Sequence, residues 1–208
     1  MILKDKNILL AVTGSIAIYK SLELIRLFIK AGANVKVILS DGAKKFINPI
    51  TFEAISQNRV LDESSESWDK SQNYNHIDIT KWADILLIAP ATANTINKIS
   101  CGIADNLLLQ TVLACKKKII IAPAANTNMI ENLITIQSIN NLKNLGFEVL
   151  QTQTKELACK DVGNGAMLEP IDIFHKTCKE LLKTSYWENR RVVLSGGGTV
   201  EKIDDVRY

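Results

Sequence analysis

The sequence predicts a three-layer α/β fold built on a doubly wound parallel sheet. Three observations carry this. Short apolar runs alternate with stretches whose apolar residues recur at helical spacing. The short runs are continuously apolar, as strands covered on both faces must be. Small residues, hydroxyls and amides follow several of the runs, at the strand ends where such sheets bind ligands. The 208 residues, 47% of them hydrophobic, suit one such domain plus a short extra piece.

The elements follow in order. Asn7 to Val12 reads as a buried strand. Ile18, Leu22, Ile25 and Ile29 lie on one helical face, and Gly32 ends that helix. Val35 to Leu39 is a second strand. Glu63 to Asn73 is polar and patternless, which predicts an exposed loop. Ile85 to Ala89 is a third strand, capped by Pro90. Ile103 to Cys115 reads as helix and Ile119 to Ala122 as a fourth strand. Asn132 to Leu145 is helical up to Gly146, and Phe147 to Leu150 is a fifth strand. Pro170 to Leu182 is a last helix, with proline suited to its first turn. Arg191 to Ser195 reads as a new strand, and Gly196-Gly197-Gly198-Thr199 after it as the turn of a second βα unit. The expected division is a domain over 1–184 and, over 185–208, a linker with the truncated start of another domain.

Composition excludes several classes. The net charge of +3 is too mild to argue for nucleic acid. No apolar run approaches the roughly 18 residues a membrane span needs, and Met1 to Lys6 lacks a signal-peptide core; a cytoplasmic protein is expected. The four cysteines show neither C-x-x-C pairing nor tight spacing to histidine, so no disulfide framework or metal site is expected.

Candidate chemistry clusters after the strands. Thr13-Gly14-Ser15-Ile16-Ala17 opens a helix with one glycine and one hydroxyl. It can hold a phosphate on backbone amides, or Ser15 can simply cap the helix. The motif is not G-x-G-x-x-G, so a mononucleotide phosphate fits better than a dinucleotide. Ser40-Asp41-Gly42 offers the same choice. Pro90-Ala91-Thr92-Ala93-Asn94 and Pro123-Ala124-Ala125-Asn126-Thr127-Asn128-Met129 repeat small residues followed by amides, which suits the face and edge of a planar heterocycle. Asn94 can alternatively cap a helix. Asp105 is structural or faces the ligand. His76 is a base or a structural histidine. Cys159 lies in Ala158-Cys159-Lys160-Asp161-Val162-Gly163-Asn164-Gly165-Ala166-Met167, whose glycines allow a flap to bend over a ligand. A thiol there can donate a proton or attack carbon, or be incidental to a surface turn.

Taken together, Gly14-Ser15-Ile16-Ala17-Ile18-Tyr19-Lys20, Asn75-His76-Ile77, Pro90-Ala91-Thr92-Ala93-Asn94, Pro123-Ala124-Ala125-Asn126 and the Cys159 segment stand in the order and spacing of one family. The chain resembles the homo-oligomeric flavin-containing cysteine decarboxylases, and among them the bifunctional phosphopantothenoylcysteine decarboxylase/phosphopantothenate–cysteine ligases of coenzyme A biosynthesis. Residues 5–183 resemble the decarboxylase half, and Val193 to Tyr208 the opening of the ligase half. The resemblance implies a flavodoxin/Rossmann-like flavoprotein with FMN as cofactor and 4′-phosphopantothenoylcysteine as substrate. The implied reaction oxidises the cysteine moiety, releases CO2 and re-reduces the enethiol to 4′-phosphopantetheine. It implies catalytic roles for His76, Asn126 and Cys159, with His76 as base, Asn126 on the substrate and Cys159 as proton donor. It implies FMN contacts from Gly14, Ser15, Ile16, Ser40, Ala91, Thr92, Asn94, Asp105 and Met129. Substrate contacts fall to Lys81, Asn126, Met129, Ala158 and Cys159. A trimer, or a dodecamer built from trimers, is implied, with no metal. A longer chain is expected to ligate phosphopantothenate and cysteine using CTP, an activity not expected of these residues. Lys160 and Ala166 stand where relatives usually carry glycine and arginine. Competing functions are a non-catalytic flavin-binding regulatory subunit, argued against by the intact His76, Asn126 and Cys159, and a flavin prenyltransferase, which a dimethylallyl phosphate assay separates.

Overall fold

The computed structural model describes residues 1–69, 75–156, 162–187 and 189–197. A five-stranded parallel sheet runs through it in the order β2-β1-β3-β4-β5. The strands are β1 (Asn7–Val12), β2 (Asn34–Leu39), β3 (Ile85–Ala91), β4 (Lys118–Pro123) and β5 (Glu148–Val149). Every residue of β3 is buried, as is all but the first of β1 and of β4. That burial on two faces is why these runs are continuously apolar. One face packs α1 (Tyr19–Lys30), α3 (Pro49–Ser56) and α9 (Pro170–Leu181) around Leu24, Phe28, Phe52 and Ile173. The other packs α4 (His76–Trp82), α5 (Ala93–Ser100), α6 (Leu107–Ala114) and α8 (Leu133–Asn144) around Ile79, Ile96, Leu108 and Leu142. Two single-turn helices, α2 (Asp41–Lys44) and α7 (Thr127–Ile130), follow β2 and β4.

Several predicted boundaries shift, each for a local reason. The third strand does not stop at Pro90: β3 runs through it to Ala91, and the Ala89–Pro90 bond is cis. The β3–β4 ladder changes register between Ile88 and Ala91, so the missing proline N–H falls in the irregular stretch. The helix predicted from Ile103 starts at Leu107. Gly102 breaks the chain with φ +69°, and the Asn106 side chain caps by accepting from the Leu109 amide. The Glu63–Asn73 segment is not wholly an exposed loop. Glu63 Oε1 accepts from the Leu107 amide, and Glu66 is mostly covered against His76; residues 70–73 lie outside the described ones. The tail is a further correction: residues 191–195 form no strand, and Val193 and Leu194 are exposed with no ladder beside them among the described residues. A β-propensity run needs a pairing partner before it is a strand.

The Cys159 segment is described only at its flanks, residues 157–161 lying outside the described ones. Its flanks pair as an antiparallel hairpin, β6 (Gln153–Glu156) with β7 (Val162–Ala166). Neither Gly163 nor Gly165 has positive φ. Instead β7 lies close against the turn after β4. A Cβ on Gly163 would stand 2.1 Å from Thr127 Oγ1, and one on Gly165 would stand 2.2 Å from the Ala125 carbonyl oxygen. The glycines permit close approach there, not bending.

A partly buried ion pair braces the loop after β2. Asp62 accepts from Lys44 at 2.9 Å and from the hydroxyl of Ser64 and the amide of Ser65. Burial would raise its carboxyl pKa, but these hydrogen bonds outweigh burial and hold it at about 2, against 3.8 for a free aspartate. A folded-state pKa below the unfolded one gives stability that is present above about pH 4 and lost as pH falls through 2. The shift corresponds to about 2 kcal/mol. We therefore expect Asp62→Asn to lower urea-unfolding stability at pH 7, and the gap to the parent to shrink by about 2 kcal/mol between pH 5 and pH 2. A gap independent of pH would contradict the assignment.

Candidate active site at the carboxyl ends of the strands

The strand order places β1 between β2 and β3, and the connections from β1 and β3 leave on opposite faces. Such a switch point opens a crevice beyond the carboxyl ends of the strands. Hydrogen bonds knit its floor. The Thr13 hydroxyl donates to the Pro90 carbonyl at 2.8 Å and accepts from the Thr92 amide at 3.0 Å. The Thr13 amide also donates to Pro90, at 3.2 Å. The Ala124 amide donates to the Ala91 carbonyl at 2.9 Å, which adds the end of β4 to the same floor.

Four of the predicted site residues are helix caps at this edge. Ser15 accepts from the Ala17 amide, Ser40 from Ala43, Thr92 from Thr95 and Asn126 from Asn128. Each cap takes one first-turn amide, while the other amides of the turn have no intrahelical acceptor. The two readings of Ser15 and Ser40 are therefore compatible: the side chain caps, and the turn still presents amides. Gly14 is required by contact. A Cβ on it would lie 2.7 Å from the Gly42 backbone carbon, so the turns after β1 and β2 touch. Ala91 ends β3, buried, opposite Pro123 of β4.

The other predicted residues distribute as follows. Thr92, not Asn94, caps α5; Asn94 is the second residue of that helix and is exposed. Ile16 and Met129 are exposed at the same edge of the sheet. Asp105 precedes the cap of α6 and pairs with Lys98 at 2.5 Å. His76 opens α4, a helix that runs antiparallel to β3 and so begins at the carboxyl edge. Its Nδ1 lies 2.7 Å from Glu66 Oε1, with both side chains less than one-fifth exposed. In the neutral imidazole, an Nδ1–H donating to that carboxylate would leave Nε2 as the acceptor nitrogen. The Trp68 ring stands edge-on to the imidazole at 5.5 Å. Lys81, at the other end of α4, is about 7 Å along the axis from His76; it is exposed and sits 3.8 Å from Asp78. Ala158, Cys159 and Lys160 lie outside the described residues, in the connection between β6 and β7. Ala166 ends β7 opposite Gln153.

Sequence reasoning missed Gly42, Glu66, Lys20 and Glu169. The ammonium of Lys20 is nearly buried, 3.0 Å from the Met167 carbonyl and 3.0 Å from Glu169 Oε1. Glu169 also accepts from Lys155. The hydrogen bonds from Lys155 and Lys20 hold the Glu169 carboxyl below its ordinary range. The Gly14 to Lys20 motif contained one end of this network, but nothing in a single sequence pairs it with Glu169.

Fold and crevice together define an α/β protein of flavodoxin-type strand order, with a crevice at the β1/β3 switch point, where such folds bind ligands. The profile of the Flavoprotein family matches residues 2–182, and the chain belongs to that family. It is 39% identical over 210 residues to the coenzyme A biosynthesis bifunctional protein CoaBC of Vibrio parahaemolyticus, covering 99% of this chain and 51% of the relative. It is 41% identical over 178 residues to a Streptococcus mutans protein described as "Probable phosphopantothenoylcysteine decarboxylase", covering 85% of this chain and 99% of the relative. The chain thus spans about half the length of the bifunctional relatives. Among solved structures, a Cys→Ser variant of a PPC decarboxylase complexed with pantothenoylaminoethenethiol superimposes with TM-score 0.74 at 32% identity, covering 84% of this chain and 97% of that one. The FMN binding protein AtHal3 superimposes with TM-score 0.72 at 31% identity, covering 91% and 100%. Among the described residues no helix is long and apolar enough to cross a membrane.

Proposed function

We propose that this chain is an FMN-dependent carboxy-lyase that converts 4′-phosphopantothenoylcysteine to 4′-phosphopantetheine. The observation that carries the reading is the switch-point crevice, where Ser15, Ser40, Thr92 and Asn126 cap four helical turns at one sheet edge. The residues present fit the cofactor. The turns at Gly14–Ile16 and Ser40–Gly42 offer amides and hydroxyls to a phosphate. Ala91, Thr92, Asn94 and the Ala124–Asn126 turn offer small and amide residues to a flat ring, and Met129 an apolar side chain. Asp105, paired with Lys98, fits an FMN contact less well than these. The names of the relatives support both cofactor and substrate.

Bound FMN would take two electrons from the thiol-bearing carbon of the substrate and return them after CO2 has left, so that the reaction is redox-neutral. The protein supplies positioning and protons. His76 Nε2, with Nδ1 held by Glu66, accepts the substrate thiol proton as that carbon is oxidised to a thioaldehyde. The carboxylate then lies β to the C=S bond, which accepts the electron pair as CO2 departs, leaving an enethiol. Asn126 holds that carboxylate. Cys159 gives a proton to carbon when the enethiol is reduced. The relative in which serine replaces cysteine and which holds an aminoethenethiol supports this last role. Lys81 and Ala158 stand as further substrate contacts.

A homo-trimer, or a dodecamer built from trimers, fits the exposed apolar residues at the same sheet edge: Ile16, Tyr19, Met129, Leu133 and Ile134. The cytoplasm is the proposed location, and the 1–184 and 185–208 division the proposed domain organisation. CTP-dependent ligation is not proposed for these residues.

Purified protein is expected to be yellow, with a flavin absorbance band, and to release CO2 from 4′-phosphopantothenoylcysteine. Flavin-loaded protein that leaves this substrate intact would overturn the reading.

A further inference from the structure

Lys20 is an anomaly that the proposed reaction does not use. It is the second residue of α1, where the helix dipole disfavours a cation. It is only 9% exposed, and a buried ammonium is costly unless paired and hydrogen-bonded. Its partners explain its position. Met167 directly follows β7, and Glu169 lies two residues further on. Glu169 stands at the N-cap position of α9, yet its side chain makes no capping bond there. Its Oε1 turns instead to Lys20 and to Lys155, which belongs to β6. One carboxylate and one buried ammonium thus tie β6, through Lys155, and the residues just after β7 to α1. Lys20 lies on the helix that begins just beyond the Gly14–Ser15 turn. The hairpin's β7 also leans on the Ala125–Thr127 turn, where the Ala125 amide donates to the Gly165 carbonyl. The hairpin is a separate two-stranded sheet, a structure marginal in water by itself.

We propose that the Lys20–Glu169 pair, joined by Lys155, is a clasp that positions the hairpin arm carrying Cys159 relative to the cofactor turn of β1. Lys20 and Glu169 are positioning residues that act through the arm. The proposal rests on the decarboxylase reading, in which Cys159 works only after CO2 has left. Loosening the clasp should therefore impair the late step and spare the early one.

The experiment uses flavin-loaded protein with Lys20→Met, Lys20→Arg and Glu169→Gln. First-turnover CO2 release and the yield of saturated thiol are measured separately, and amide hydrogen exchange is followed by mass spectrometry. For Lys20→Met and Glu169→Gln we expect CO2 release within twofold of the parent, thiol yield lowered at least tenfold, and unreduced enethiol accumulating. We expect faster exchange at residues 153–156 and 163–166, with β1 and β3 unchanged. Lys20→Arg should recover most of the thiol yield. Glu169→Gln carries the test alone if Lys20→Met does not fold. Equal losses of CO2 and thiol, or unchanged hairpin exchange, would overturn the clasp. A parent that releases no CO2 would instead sink the decarboxylase reading and leave the exchange result to decide the clasp.

Discussion

Cys159→Ser is expected to release one equivalent of CO2 per site and then stop, with saturated thiol forming at least ~100-fold more slowly than in the parent, the scale of losing a positioned proton donor. Oxidation and decarboxylation need a base and a held carboxylate, which His76 and Asn126 supply in the proposed mechanism. Only the return of electrons to the enethiol needs a proton on carbon, and serine is far too weak an acid to replace a thiol there. The measurement is a single-turnover assay that scores CO2 and product thiol in one sample. Normal thiol yield from the variant would remove Cys159 from the mechanism. Absence of CO2 would move the thiol to an earlier step. His76→Gln should show the opposite pattern, with CO2 and thiol lost together, because it acts before either forms.

The order of these elements was readable because parallel strands buried on both faces leave an unmistakable record. Ile8 to Val12, Ile85 to Ile88 and Ile119 to Ile121 are continuously apolar, and their polar ends marked the crevice. The helices that were missed are short. Four or eight residues, as in α2, α3, α5 and α7, hold too few turns for a period to emerge. Polar capping residues such as Thr92 and Asn126 were legible as candidates, but not in their double use as caps. Pairings across the chain were not legible at all. Glu66 meets His76 ten residues on, and Lys20 meets Glu169 across 149 residues, through tertiary packing that no local pattern encodes. The hairpin glycines misled for a related reason. Glycine in a sequence signals either unusual backbone angles or close approach, and only the neighbouring Ala125–Thr127 turn shows which applies.

That close approach sets up the largest structural effect expected of a single substitution. In Gly165→Val the new Cβ would meet the Ala125 carbonyl oxygen at 2.2 Å, and a backbone atom cannot rotate out of the way as a side-chain terminus can. The Ala125 amide also donates to the Gly165 carbonyl at 3.1 Å, so any shift that relieves the clash strains a hydrogen bond. Overpacking of this kind costs about 3 kcal/mol. The cost falls on the hairpin, because β6 and β7 pair only with each other and not with the five-stranded sheet. The arm should therefore lift from the turn while the core survives. The expected result is retained flavin absorbance and a nearly unchanged main unfolding transition. Amide protection at residues 153–156 and 163–166 should be lost, and thiol formation should fall at least ~100-fold with the thiol donor displaced. Gly163→Ala would instead crowd the Thr127 side chain, whose Oγ1, Cβ and Cγ2 all lie within 3.3 Å of the new Cβ. A Gly165→Val protein with a protected hairpin and parental thiol yield would show that the arm need not lie against the Ala125–Thr127 turn. In that event the glycines would have to be explained by bending after all.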